Sequence, residues 1–184
     1  MDKNDIRIKV RARKSMLTHA EMIKAAENVW AQLEQMAAFL MSDRILMYHS
    51  LPDELSTHRF LDKWQGSKKF FLPRVNGINL EILPYDRTRT HLGAFHIEEP
   101  DGNDTSSIND MEMIIVPAMA YDRNGNRVGR GKGYYDRLLA KCKALKVGVA
   151  YDCQMVDEIE CEPTDVPVDV VITETRTYVV RHKK

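Results

Sequence analysis

From Tyr121 to Arg137 the chain reads Tyr-Asp-Arg-Asn-Gly-Asn-Arg-Val-Gly-Arg-Gly-Lys-Gly-Tyr-Tyr-Asp-Arg. Gly125, Gly129, Gly131 and Gly133 alternate with Arg123, Arg127, Arg130 and Lys132. Glycines let backbone approach a ligand closely and adopt positive φ. A helix predicted from Tyr134 offers free N–H groups and the positive end of its dipole. Phosphate is the anion such a place suits, and Arg127, Arg130 and Lys132 can add charge-assisted bonds to its oxygens. The known phosphate motifs do not fit. A Walker A loop would need Gly at Asn126 and Ser or Thr at Gly133; a dinucleotide fingerprint starting at Gly129 would need Gly at Tyr134. A solvated glycine-rich turn would share this composition.

Other charged residues are candidates on weaker grounds. Asp136, in the first turn of the helix behind the loop, can complement the helix dipole or hold a magnesium ion bridging phosphates. Asp165 precedes a buried strand in Pro163-Thr164-Asp165-Val166-Pro167 and reads equally as a turn residue. Lys3 and Arg7 are four apart, share a face if helical, and could clamp a polyphosphate. Glu54 lies just before a predicted helix start and is by default a surface carboxylate.

The elements that must position these residues follow from periodicity. Apolar residues recur every three or four positions from Thr18 to Leu40, with Thr18 and Glu21 matching a capping box, so one long helix is predicted there. Strands are predicted at 44–48, 69–72 (stopped by Pro73), 79–83, 111–116, 145–151 and 168–173, with an edge strand at 178–180. Further helices are predicted from Ser56 or Thr57 to about Gly66 and over 134–145. Ile114-Ile115-Val116 and Val168 to Ile172 are apolar at nearly every position, the mark of strands buried on both faces. Alternation with helices implies an α/β fold with a mostly parallel central sheet. Asp101 to Asp110 reads as a solvated connector.

The 184 residues suit one domain, 1–184. With 27 Lys+Arg against 27 Asp+Glu, the chain lacks the basic footprint of a nucleic-acid binder and has no charge to draw it to anionic membranes. No apolar run is long enough to span a bilayer, and no apolar segment follows the N-terminal residues as in a signal peptide. Cys142, Cys153 and Cys161 are odd in number and form no CxxC pair. Idle thiols in a reducing, cytoplasmic setting are expected. The six histidines show no zinc spacing.

Gly129-Arg130-Gly131-Lys132-Gly133-Tyr134-Tyr135-Asp136-Arg137 resembles the signature of the 5-formyltetrahydrofolate cyclo-ligase (methenyltetrahydrofolate synthetase) family. Weaker elements follow in the family's order: Lys3-x-x-Ile6-Arg7, Glu54-Leu55-Ser56-Thr57, Leu72-Pro73-Arg74-Val75, Gly93 to Pro100, Ile115-Val116-Pro117 and Val168 to Glu174. The resemblance implies a three-layer fold like the sugar-phosphate isomerase and CoA-transferase group, with helices on both faces of the sheet. It implies ATP and Mg2+ as cofactors and 5-formyltetrahydrofolate, with or without a polyglutamate tail, as substrate. A monomer free of nucleic-acid and membrane partners is expected. By position, Lys3, Arg7, Arg127, Gly129, Arg130, Gly131, Lys132, Gly133, Tyr134 and Tyr135 would bind ATP, and Asp136 and Asp165 would hold the metal. His49, Glu54 and the stretch Arg130 to Tyr134 would face the folate; Lys132, Arg130 and Glu54 would be catalytic. His49 and Ala118 depart from the family, which often has an apolar residue and Gly there. The implied chemistry is phosphorylation of the formyl oxygen and ring closure by N10, releasing ADP and phosphate. A phosphosugar isomerase or CoA-transferase on a related fold is the competing enzyme reading, and a nucleic-acid module using the basic N-terminal arm a third.

Overall fold

The computed structural model describes residues 1–182; residues 183 and 184 lie outside it. Five helices and eleven strands follow in the order α1 Lys3–Lys14, α2 His19–Glu34, α3 Ala37–Met41, β1 Arg44–Leu46, α4 His58–Trp64, β2 Lys69–Asn76, β3 Asn79–Pro84, β4 Thr90–Leu92, β5 Glu98–Pro100, β6 Met113–Val116, β7 Ala120–Tyr121, β8 Arg127–Val128, α5 Tyr134–Leu139, β9 Leu145–Val149, β10 Val170–Ile172 and β11 Thr177–Val179.

Seven strands form the central sheet in the order β11-β10-β9-β6-β1-β2-β3. Strands β10, β9, β6, β1 and β2 are mutually parallel; β11 and β3 pair antiparallel at the two edges. Successive side chains point to opposite faces, and both faces are covered. Ile45, Phe70, Met113, Ile115, Val147 and Ile172 face a core under α2, α3 and α4. Leu46, Phe71, Ile114, Val116 and Val171 face a second core with Leu138 and Leu139 of α5. That is the mostly parallel, three-layer α/β arrangement expected from the sequence. Helix α1 lies apart, seating Ile6 and Val10 on Met119, Ala120 and Val128.

Several local expectations are corrected. The predicted 18–40 helix is two. After the Thr18–Glu21 capping box, the chain tightens at Gln35 and Met36 through N–H bonds to Gln32 O and Leu33 O, then restarts as α3. The break seats Phe39, not Leu40, in the core, where its ring meets Phe60 and Trp64. Helix α5 stops at Leu139, because Lys141 and Cys142 bond to carbonyls only three residues back, which frees Leu145 for β9. Pro73 does not stop β2. Phe71 turns its backbone toward β1, accepting the Met47 N–H; Pro73 faces the same side, beyond the end of β1, where no ladder partner is missed. Thr57 precedes α4 without capping it; its hydroxyl donates to Tyr48 O (2.8 Å) and accepts from Ser50 N (3.1 Å). The 101–110 connector is anchored as well as solvated. Ser106 bridges to Ile82 and Ile108 is buried.

Candidate active site

The topology itself locates a crevice. From β1 the chain steps to β2 on one side, and β6 lies on the other. Ligands of open α/β sheets bind outside the carboxyl ends of the strands where the strand order reverses in this way. There, a cavity of about 1430 Å³ opens between α1, the segments after β1 and β6, the loop before α5 and residues 160–166. Every residue expected from the sequence to take part in catalysis, ligand binding or metal binding lines it.

Helix α1 forms one wall. Asp2 caps it, accepting the Asp5 N–H at 2.9 Å. Lys3, Arg7 and Lys14 fall within about 40° of one another around the axis at 3.6 residues per turn. Each reaches across to a different segment. Lys3 Nζ donates to Asp165 Oδ2 at 2.5 Å, Arg7 Nε to Gly129 O at 2.8 Å, and Lys14 Nζ to Asp53 Oδ2 at 3.0 Å. Burial raises the Asp165 carboxyl, but Lys3 and the Glu162 N–H outweigh it and hold the pKa below the usual value.

The glycine-rich loop is delivered by the β7–β8 hairpin. Buried Asp122 organises that hairpin by accepting from Asn124 N, Asn126 N, Asn126 Nδ2 and Ile159 N. Gly125, at φ +78°, has no room for a Cβ, which would lie 2.4 Å from Val168 O. The loop then runs to Gly133, which starts α5 at φ +70°. Arg137 clamps it from behind, donating from Nε to Ile78 O (2.8 Å) and from Nη2 to Lys132 O (2.9 Å). Lys132 makes no ion pair among the described residues; its Nζ lies 6.0 Å from the Phe95 ring centre. Arg127 is the exception among the cations. Its guanidinium is buried over Tyr135 and donates to Asp136 Oδ1 at 3.0 Å, and among the described residues its Nε has no partner.

The Tyr48–Ser50–Thr57 clasp shapes the turn that carries Glu54. Its Oε1 accepts the Leu51 N–H at 2.9 Å, and Oε2 lies 3.7 Å from Arg130 Nη2. Burial raises its pKa more than that N–H and Arg130 lower it. Beside it His49 stacks on His58 with ring centres 4.3 Å apart, and burial, reinforced by His58, lowers the His49 pKa.

Asp136 and Asp165, far apart in sequence, line the same cavity, and the residue after Asp165 links the two segments: Val166 N donates to Asp136 Oδ1 at 3.3 Å. Among the described residues, Asp136 Oδ2 and Asp165 Oδ1 have no hydrogen-bond partner. No group of three or more His, Cys, Asp or Glu side chains is arranged to hold a metal among them. Two carboxylates fit magnesium that shares its remaining positions with phosphate and water.

Sequence reasoning missed three contributors. Asp53 adjoins Glu54, and Lys14 lies eleven residues from Lys3; their signal was helical spacing and adjacency. The third is the tip between β4 and β5, where Phe95 (φ 60°) and His96 (φ 58°) take a left-handed conformation unusual for such residues. Phe95 is exposed, with its ring centre 6.5 Å from that of Tyr134.

A family model described as 5-formyltetrahydrofolate cyclo-ligase matches residues 1–174. The chain belongs to that family. Among curated members, the Escherichia coli K12 5-formyltetrahydrofolate cyclo-ligase is 27% identical over 92% of this chain and 98% of its own length. The mouse cyclo-ligase is 26% identical over 94% and 93%. The solved Aquifex aeolicus 5,10-methenyltetrahydrofolate synthetase superposes with a TM-score of 0.90 at 32% identity, covering 100% of this chain and 95% of that one. The Mycoplasma pneumoniae synthetase shares the fold, with a TM-score of 0.76 at 22% identity over 95% and 99%. The protein is thus an enzyme of the cyclo-ligase family. The three thiols are free, and no described helix is long and apolar enough to cross a membrane.

Proposed function

We propose that the protein converts 5-formyltetrahydrofolate to 5,10-methenyltetrahydrofolate at the expense of ATP. The observation that carries this reading is the single cavity joining a phosphate-type loop to a carboxylate of raised pKa. Its volume, about 1430 Å³, exceeds the ~300–1,000 Å³ usual for one small ligand and suits two side by side.

A formyl oxygen is a poor leaving group. Phosphorylating it activates the carbon, N10 attacks, the ring closes and phosphate departs. Phosphoryl transfer needs alignment and charge neutralisation more than covalent help. Lys132, without an ion-pair partner among the described residues and carried between two glycines, follows the transferring group. Arg130 adds charge from the Glu54 side, and Lys3 and Arg7 hold the distal phosphates. Arg127 acts through Asp136, holding its carboxylate toward the cavity. When bound, Mg2+ would be held by Asp136 and Asp165 and would neutralise phosphate charge. Glu54 orients the N10–H and accepts its proton; its raised pKa moves it toward a useful range for a general base. The walls around Tyr48 and Tyr135 exclude water, which would otherwise hydrolyse the activated formyl group.

The test is to mix purified protein with 5-formyltetrahydrofolate, ATP and Mg2+ and follow absorbance of the more conjugated methenyl product. Lys132→Met should lose about 10²–10³ in turnover, as expected for one donor to developing charge, with a much smaller loss of ATP affinity. No ATP-dependent signal from wild type would overturn the reading, and turnover of the variant within about threefold of wild type would remove Lys132 from it.

A further inference from the structure

Lys14 is buried, yet none of the chemistry above uses it. It is the third inward cation of α1, after Lys3 and Arg7. Lysine is rarely buried unless paired, and its partner is Asp53, through Asp53 Oδ2 at 3.0 Å and Asp53 O at 3.2 Å. The other carboxylate oxygen, Asp53 Oδ1, lies 3.4 Å from Arg130 Nη2, and Glu54 Oε2 lies 3.7 Å from the same nitrogen.

Arg130 needs such a fixture. It has a long side chain and stands between Gly129 and Gly131, where backbone freedom is greatest. Helix α1 is by contrast firmly seated through buried Ile6 and Val10. A chain of contacts therefore runs from a rigid helix through Lys14 and Asp53 to a guanidinium on a soft loop.

We propose that Lys14 and Asp53 are positioning residues, holding Arg130 against Glu54 so that the folate end of the cavity is set in register with the phosphate end. This rests on the two-ligand reading above. With Lys14 neutralised, Asp53 would be free to draw Arg130 away from Glu54. With Asp53 neutralised, Arg130 would lose its fixed point. In both cases the folate step suffers and nucleotide binding, which α1 supports through Lys3 and Arg7, does not.

The experiment uses Lys14→Met, Lys14→Arg, Asp53→Asn and the Lys14→Met/Asp53→Asn pair. The Arg130 side-chain Nε–Hε signal, assigned by its loss in Arg130→Lys, is followed by NMR in ligand-free protein, so this readout does not depend on activity. It should move in Lys14→Met and Asp53→Asn and return close to wild type in Lys14→Arg. The kcat/KM for 5-formyltetrahydrofolate should fall about tenfold or more in both single variants, the weight of one hydrogen bond to a charged group. The Kd for MgATP should stay within about twofold, and the double variant should be no worse than the poorer single, as for residues acting through one path. An unmoved Arg130 signal in Asp53→Asn, losses that multiply in the double variant, or parallel loss of MgATP affinity would overturn the proposal. Asp53 is half exposed, so its variant supplies the answer if Lys14→Met fails to fold. Signals that move in the variants while wild type shows no turnover would overturn the function and leave the positioning intact.

Discussion

Glu54 keeps only 15% of its side chain exposed, and that burial raises its pKa. The sign for stability follows. A carboxyl whose folded pKa lies above its unfolded value is destabilising when ionised. The deficit is full above the folded pKa and disappears below the unfolded value of about 4.3. Glu54→Gln keeps an oxygen for the Leu51 N–H, and Asp53 still faces Arg130. The variant should therefore unfold at a higher temperature than wild type at pH 7.5, with the gap closing toward pH 4, while turnover collapses. Calorimetry at the two pH values checks this; a lower midpoint at pH 7.5 would mean that burial does not dominate at Glu54. His49 carries the same strain with opposite charge. Burial and His58 hold its pKa down, so the neutral ring is the form that lines the cavity at neutral pH.

At the scale of elements, Ile108 shows how a polar stretch can hide an anchor. The connector is rich in Asp, Asn, Ser and Gly, which reads as solvent. One buried apolar side chain and the Ser106 N–H bond to Ile82 O fix its second half. Ile108→Ala should cost about 2–4 kcal/mol in urea unfolding, within the range for buried Ile truncation, with turnover per folded molecule held within about threefold. The strands were legible because residues such as Ile114 to Val116 are apolar on both faces, a pattern that solvent-facing segments do not sustain. The glycine-rich loop that lines the cavity was legible because glycine and cation alternate there. Periodicity failed where it continued past a change in backbone. Leu138, Cys142 and Leu145 keep helical spacing, and Leu33, Met36 and Leu40 do likewise, although the chain turns within both runs. Pro73 misled because its effect depends on which side of β2 lacks a neighbour, and a sequence does not show that. The approach of the segment after Asp165 to Asp136, through the Val166 N–H, and the pairing of Lys14 with Asp53 are tertiary and have no local signal.

Across the whole molecule, protection should grade from the sheet centre to the cavity rim. Every residue of β6 is buried between β1 and β9, whereas β4 and β5 pair only with each other and expose Leu92 and Phe95 at their tip. Hydrogen exchange should be at least about a hundredfold slower in β6 and β9 than in β4 and β5, and mass spectrometry of peptides from the two regions checks it. Equal rates would contradict a rigid sheet carrying a looser rim. The Lys3–Asp165 contact has a consequence of another kind. It joins positions 162 residues apart. At ~5–20 residues per second of synthesis, the first wall of the site is made about 8–32 s before the last. Helix α1 and the glycine-rich loop leave the ribosome with their cations in place and no Asp165 to face Lys3. A nascent chain that ends before Asp165 therefore carries one wall of the cavity without the carboxylate that ties Lys3 to the other. The reading order of the gene thus sets the moment at which the two walls of this cavity can first be joined.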